Sequence, residues 1–145
     1  MSKSNAFETA LLGLLFENTA IANLGDAGGL RASATAGSLY FSLHTADPGE
    51  AGDQTTSEIA YTSYARVAVA RSSSGWTVSG NGVAVDTDVT FPAGSGGSGT
   101  ATHWGLGIAS SGAGVLLYKG SISPTIVCGS GVTPKLTAGT VVSED

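Results

Sequence analysis

Charge is what this sequence has least of. Asp, Glu, Lys and Arg make up 12 % of its 145 residues, about half the share in an average soluble protein. The 6 basic residues, Lys3, Arg31, Arg66, Arg71, Lys119 and Lys135, are scattered along the chain. None of them forms the Lys/Arg cluster that neutralises several phosphates, which argues against nucleic acid as a partner. Cys128 is the single cysteine. It excludes a disulfide within the chain and a cysteine-based zinc site. No apolar run approaches the ~18 residues of a membrane span. The apolar N-terminal stretch is short, is interrupted by Glu8 and Glu17, and lacks a signal-peptide cleavage site. The expectation is a chain made in a cytoplasm, with no membrane partner.

What remains is apolar or small. Hydrophobic residues account for 41 % of the chain and glycine occurs 22 times. The length is that of one domain. Net charge is −5, from 6 basic and 11 acidic residues. A sparsely charged surface repels its neighbours weakly, which suits a subunit packed against copies of itself or against a larger assembly.

The first segment reads as a helix. Asn5 and Glu8 have capping-box spacing, and Phe7, Leu11, Leu14 and Leu15 share one face, which Leu12 and Phe16 widen. The helix is expected to end near Asn18, with a further turn over residues 20–24 that Gly25, Gly28 and Gly29 stop. From Ser38 the period becomes two. Leu39, Phe41 and Leu43 alternate with polar residues, and residues 64–71 alternate again. Further strands are expected at residues 76–78, 83–85, 89–91, 102–108, 115–118, 122, 125–128, 132–136 and 141–142. Asn81-Gly82 marks a hairpin, and residues 93–100, AGSGGSGT, read as a long flexible loop. The predicted fold is mainly β, an antiparallel sandwich of jelly-roll type. A helical arm occupies residues 1–36 and the β domain residues 37–145. The sequence leaves open whether the helix packs on its own sheet or on a neighbour.

Candidate chemistry is thin. The stretch SLHTADPGEAGDQTTSE carries Asp47, Glu50, Asp53 and Glu58, but not at EF-hand spacing. It reads as a solvated turn on Pro48, Gly49 and Gly52, with a loose calcium site as the alternative. Asp86 and Asp88 share one side of an extended segment and read as turn-flanking carboxylates. His44 and His103 bind a metal only if they converge with a carboxylate. Gly94 to Gly99 lacks both the context of a nucleophile elbow and the lysine of a phosphate loop. Cys128 reads as a small buried hydrophobe. No catalytic residue, metal or cofactor is expected. Tyr61 and Tyr64, at the edge of the acidic loop, are candidates for an exposed contact face together with Asp47, Glu50 and Asp53.

Taken in order, AIANLGD, LYFSLHTADPGEAGDQTTSEIAYTSYARVAVAR, GWTVSG, FPAGSGGSGTATHWGLG and GVTPKLTAGTVVSED resemble a family of small virion structural proteins of tailed bacteriophages, commonly described as tail-fibre-like. The resemblance spans nearly the whole chain, and its most specific block is SLHTADPGE…YARVAV. It implies a particle component without enzymatic activity or cofactor, assembled in a bacterial cytoplasm. The chain shows no heptad run or collagen-like repeat from which to build a shaft. The expected role is therefore a homotrimeric capsid decoration (cement) protein on the head surface. Its partners are copies of itself and the major capsid protein or another virion protein. Phe7, Leu11, Leu15 and Phe16 are the candidate subunit or capsid interface. The alternative is a tail-tip or tail-fibre adhesion module that contacts host glycans through Tyr61, Tyr64 and the acidic loop. A small hydrolase using Asp86, Asp88 or His103 is the remaining reading.

Overall fold

The computed structural model describes residues 3–25, 29–139 and 141–144. One helix, α1 (Asn5–Phe16), precedes the strands β1 (Ser38–His44), β2 (Val67–Ala70), β3 (Trp76–Ser79), β4 (Gly82–Val85), β5 (Val89–Thr90), β6 (Ser98–Gly107), β7 (Leu116–Gly129), β8 (Lys135–Leu136) and β9 (Val141–Ser143). The fold is mainly β with antiparallel sheets and one short N-terminal helix, as the sequence predicts. The strands form a sheet in the order β2-β1-β6-β7, a sheet β3-β4-β9 and a ribbon β5-β8. The chain forms two compact units: Met1–Ser38, Ala70–Asp88 and Thr137–Asp145 in one, Leu39–Val69 and Val89–Leu136 in the other. The chain crosses between the units at residues 38–39, 69–70, 88–89 and 136–137.

In the first unit α1 packs on β3 and β4. Leu12 and Phe16 are fully buried, and the Phe16 ring meets Trp76 edge-on with centroids 4.8 Å apart. Val83, Val85 and Val142 complete this core. The N-cap is Ser4, one residue before the expected Asn5, and its hydroxyl accepts from the Phe7 N–H. At the other end the Arg71 guanidinium donates to the Leu14 and Leu15 carbonyls, each at 2.6 Å, where unpaired carbonyls and the helix dipole favour a cation. Residues 20–24 add no helical turn. Asn18 takes a positive φ of 57° and brackets Ser33 through both ends of its side-chain amide, and Ile21 bridges Leu30. Of the expected helix-stopping glycines, Gly28 lies outside the described residues. The β3–β4 hairpin turns on Gly80-Asn81, with φ +60° at Gly80, so the left-handed position falls one residue before the expected Asn-Gly pair.

In the second unit Leu39, Phe41 and Leu43 of β1 face a core that includes Ile59, Tyr61, Phe91, Ala101, Trp104 and Leu106. Two expectations are corrected here. Residues 93–100 are no flexible loop: β6 starts at Ser98, Gly96 bridges Thr62 and Gly94 bridges Ser130. A Cβ on Gly94 would overlap the Gly129 carbonyl, so the glycine is there for close backbone approach. β7 is a single strand of 14 residues where three short ones were expected. Its register passes from His103↔Ser121 to Ala101↔Ile126, leaving residues 122–125 in a bulge. Pro124 sits in that bulge, where a missing N–H costs no ladder bond.

Candidate contact surface

The acidic loop begins where β1 ends. Ser42 and His44 are on the β1 face opposite Leu43, and alternation alone would give that face to solvent. Both are fully buried because residues 45–58 fold over them. The loop is fastened at its base by Thr45 N–H to the Ser57 carbonyl and Ile59 N–H to the Leu43 carbonyl. Gln54, also fully buried, fastens its middle. Its backbone N–H donates to the Gly114 carbonyl, and its side-chain oxygen accepts from Ala109 N–H at 2.9 Å. β6 makes room for these polar groups with glycine. A Cβ on Gly105 would lie 2.6 Å from the His44 Nε2, and one on Gly107 would overlap Gln54.

Beneath the loop, His44 Nδ1 lies 2.8 Å from the Thr56 carbonyl and Nε2 lies 2.8 Å from the Ser42 hydroxyl. A carbonyl only accepts, so Nδ1 carries the proton, and Nε2 of the neutral ring accepts from Ser42. Burial holds the His44 pKa below the ordinary value, against the opposing effects of the Thr56 carbonyl and Glu58. His103 is the cross-strand neighbour of His44 in register, and its Nδ1 lies 2.9 Å from the Thr102 hydroxyl.

Each loop carboxylate is partnered within the chain. Asp47 accepts from Gly49 N–H and pairs with Lys119 of β7 at 3.0 Å, and Glu50 reaches the same ammonium at 3.4 Å. The Gly49 N–H, then Lys119, holds the Asp47 carboxyl below its usual range, and Asp47 in turn raises Lys119. Asp53 accepts from the hydroxyl and N–H of Thr55, which lower its pKa. Glu58 takes Arg66 on both oxygens, at 2.7 and 2.8 Å. The Arg66 guanidinium also donates to the Ala109 and Gly112 carbonyls and ties down the β6–β7 hairpin. Among the described residues no three His, Cys, Asp or Glu side chains gather in a way that could hold a metal ion.

The tyrosines expected on an exposed face point inward. Tyr61 is 2 % exposed and its hydroxyl donates to the Pro92 carbonyl. The Tyr64 hydroxyl accepts from Leu43 N–H and donates to Glu58, and burial raises its pKa. Both rings are enlisted by the core: Tyr64 meets Tyr61 edge-on and stacks on Phe91. The exposed part of the candidate loop is therefore Asp47 and Glu50, with Asp53 half-buried. A cleft of about 270 Å³ separates Gly49, Glu50 and Gly52 from residues 116–119 of β7.

The hairpin beside this loop joins the strands expected at residues 102–108 and 115–118, but sequence reasoning did not single out its exposed apolar residues. Ile108 and Val115 flank its turn and are 52 % and 59 % exposed, and Val127 on β7 is 67 % exposed. β7 is an edge strand of its sheet. The signal was present as apolar residues on either side of the Ser-Ser-Gly-Ala-Gly turn. Of the α1 candidates, Phe16 is buried in its own unit, Leu11 and Leu15 are half-buried, and Phe7 is 39 % exposed. Asp86 accepts from the Thr77 hydroxyl of β3 and Asp88 from the Ala138 N–H, so each carboxylate holds a neighbouring segment. Burial raises the Cys128 pKa. The geometry offers contact surface and no accessible activated nucleophile among these groups.

A family model described as "Podophage GP4 fiber I protein gp80" matches residues 2–144. No curated protein matches the chain.

Proposed function

The chain belongs to the Podophage GP4 fiber I protein gp80 family, a tailed-phage virion structural family, and from that premise we propose that it is a fibre-associated contact subunit. It works by shape, without turnover or cofactor, and self-associates as a trimer. The observation that carries this reading is the fastened acidic loop beside an exposed apolar hairpin. The loop carboxylates are spent on partners within the chain, which leaves Ile108, Val115 and the β7 edge to meet another subunit. A role in host adhesion would use the same surface.

Capsid decoration is the second reading, favoured by the absence of any shaft-forming repeat. Its proposed anchor is less available, because α1 buries Leu12 and Phe16 against β3 and β4. Immunogold labelling of intact particles separates the two. Gold at the tail fibres is expected, and gold distributed over the head would replace the fibre reading with decoration. Particles carrying Asp86→Ala, Asp88→Ala and His103→Ala together are expected to infect normally. Loss of infectivity with normal assembly would revive the hydrolase reading.

A further inference from the structure

A buried side chain holds an exposed turn. Gln54 has 0 % of its surface in solvent, while Ile108 and Val115, at the two ends of the β6–β7 turn, are 52 % and 59 % exposed. The side-chain oxygen of Gln54 accepts from the Ala109 N–H at 2.9 Å, and its backbone N–H donates to the Gly114 carbonyl at 3.0 Å. Its Nε2 lies 3.5 Å from the Tyr40 carbonyl, which fixes the amide the right way round. Arg66 donates to the Ala109 and Gly112 carbonyls, each at 2.9 Å. Glycine closes the fit, since a Cβ on Gly107 or Gly114 would overlap the Gln54 side chain. We propose that Gln54 is the positioning residue of this hairpin: it holds residues 108–115 in the shape that a second copy of the chain meets, so that assembly need not order them. The proposal rests on the contact-subunit reading and adds the residue that sets the shape of the contact.

The turn has little with which to hold itself. Residues 109–114 are Ala, Ser, Ser, Gly, Ala and Gly. Its own bonds are Gly114 N–H to the Gly112 carbonyl at 2.9 Å and Ile108 N–H to the Val115 carbonyl at 3.3 Å. Unclamped, such a segment samples many conformations, and each copy would lose that freedom on binding. Charge favours a like partner. Residues 107–116 carry none, and the carboxylates of the neighbouring loop are paired, Asp47 and Glu50 with Lys119 and Glu58 with Arg66. Two copies can therefore bring these turns together without like-charge repulsion.

The effect scales with population. A hairpin closed for only a fraction of the time binds more weakly by that fraction. In the proposed trimer three hairpins must be closed together, so the fraction enters as its cube. A variant closed about half of the time would assemble about eightfold more weakly.

Gln54→Met tests this, because it keeps bulk in the glycine slot and removes the acceptor of the Ala109 N–H. Amide exchange is read at Ile108 and Gly114, whose bonds lie within the hairpin and do not involve Gln54, at a dilution where the chains are apart. Phe91, bonded to the Pro134 carbonyl, is the control. Sedimentation reads assembly. The Ile108 and Gly114 amides are expected to exchange about tenfold faster or more, with Phe91 unchanged and assembly several-fold weaker. Unchanged exchange at both amides overturns the clamp, and faster exchange with undiminished assembly overturns its part in the contact. A wild-type chain that stays monomeric at every concentration sinks the contact reading itself, whereas failure of the clamp shows in a wild type that assembles normally. Should Gln54→Met fail to fold, wild type decides by linkage. Assembly on the hairpin must then slow exchange of the buried Gln54 amide as concentration rises, and an amide that does not respond defeats the proposal.

Discussion

Arg66 keeps 2 % of its side chain in contact with solvent, and its guanidinium joins Glu58 to the carbonyls of Ala109 and Gly112. Removing one partner of such a buried pair strands the other charge, at a cost of about 3–5 kcal/mol. Arg66→Ala is expected to lose stability of that size in urea unfolding. Lys119→Ala, whose partners stand in solvent, is expected to leave the midpoint nearly unchanged. His44 sets the pH dependence. Its folded-state pKa lies below its unfolded one, so the unfolded chain binds the proton first. Thermal stability is therefore expected to be complete above about pH 6.5 and to fall below it, with a flatter profile in His44→Gln. Asp47 and Asp53 act in a separate window. Their lowered pKa values give stability that is lost only as the pH falls below about 4. The Asp47 and Asp53 bonds are local turn contacts, but the long-range partnerships could not be read from sequence. Gln54 and Ala109 are 55 residues apart, and no local pattern records a contact of that range.

Among the elements, those built on local pattern were legible. The alternation of β1, the β3–β4 hairpin and the apolar stripe of α1 all appear where periodicity puts them. Elements that depend on distant neighbours were not. Pro124 looks like a strand breaker until the bulge that holds it is seen, and residues 93–100 look flexible until Gly94 is found against Gly129. Alternation also misled at Ser42 and His44, polar residues that the loop buries. The helix supplies a direct contrast. Phe16→Ala is expected to cost about 3–5 kcal/mol by opening a cavity beside Trp76. Phe7→Ala, 39 % exposed, is expected to shift stability by less than about 0.5 kcal/mol. Gly105→Ala is expected to cost about 1–3 kcal/mol, because the added methyl meets Ser42 and His44. Chemical unfolding of the three variants beside wild type checks the order.

At the scale of the whole molecule, low charge, many short strands and missing catalytic motifs already pointed to a structural subunit, and the family match agrees. The proposed contact surface was less visible, since exposure of Ile108 and Val115 is decided by how the hairpin closes and not by their hydrophobicity. Sedimentation analysis is expected to find a trimer that Ile108→Ser with Val115→Ser weakens while each chain stays folded. The most direct measurement is an averaged reconstruction of the intact phage particle. It is expected to show this fold at the tail fibre, with the 108–115 hairpin and the β7 edge covered by a neighbouring subunit. A reconstruction in which that hairpin and edge face solvent, or in which the fold is missing from the particle, would contradict the account.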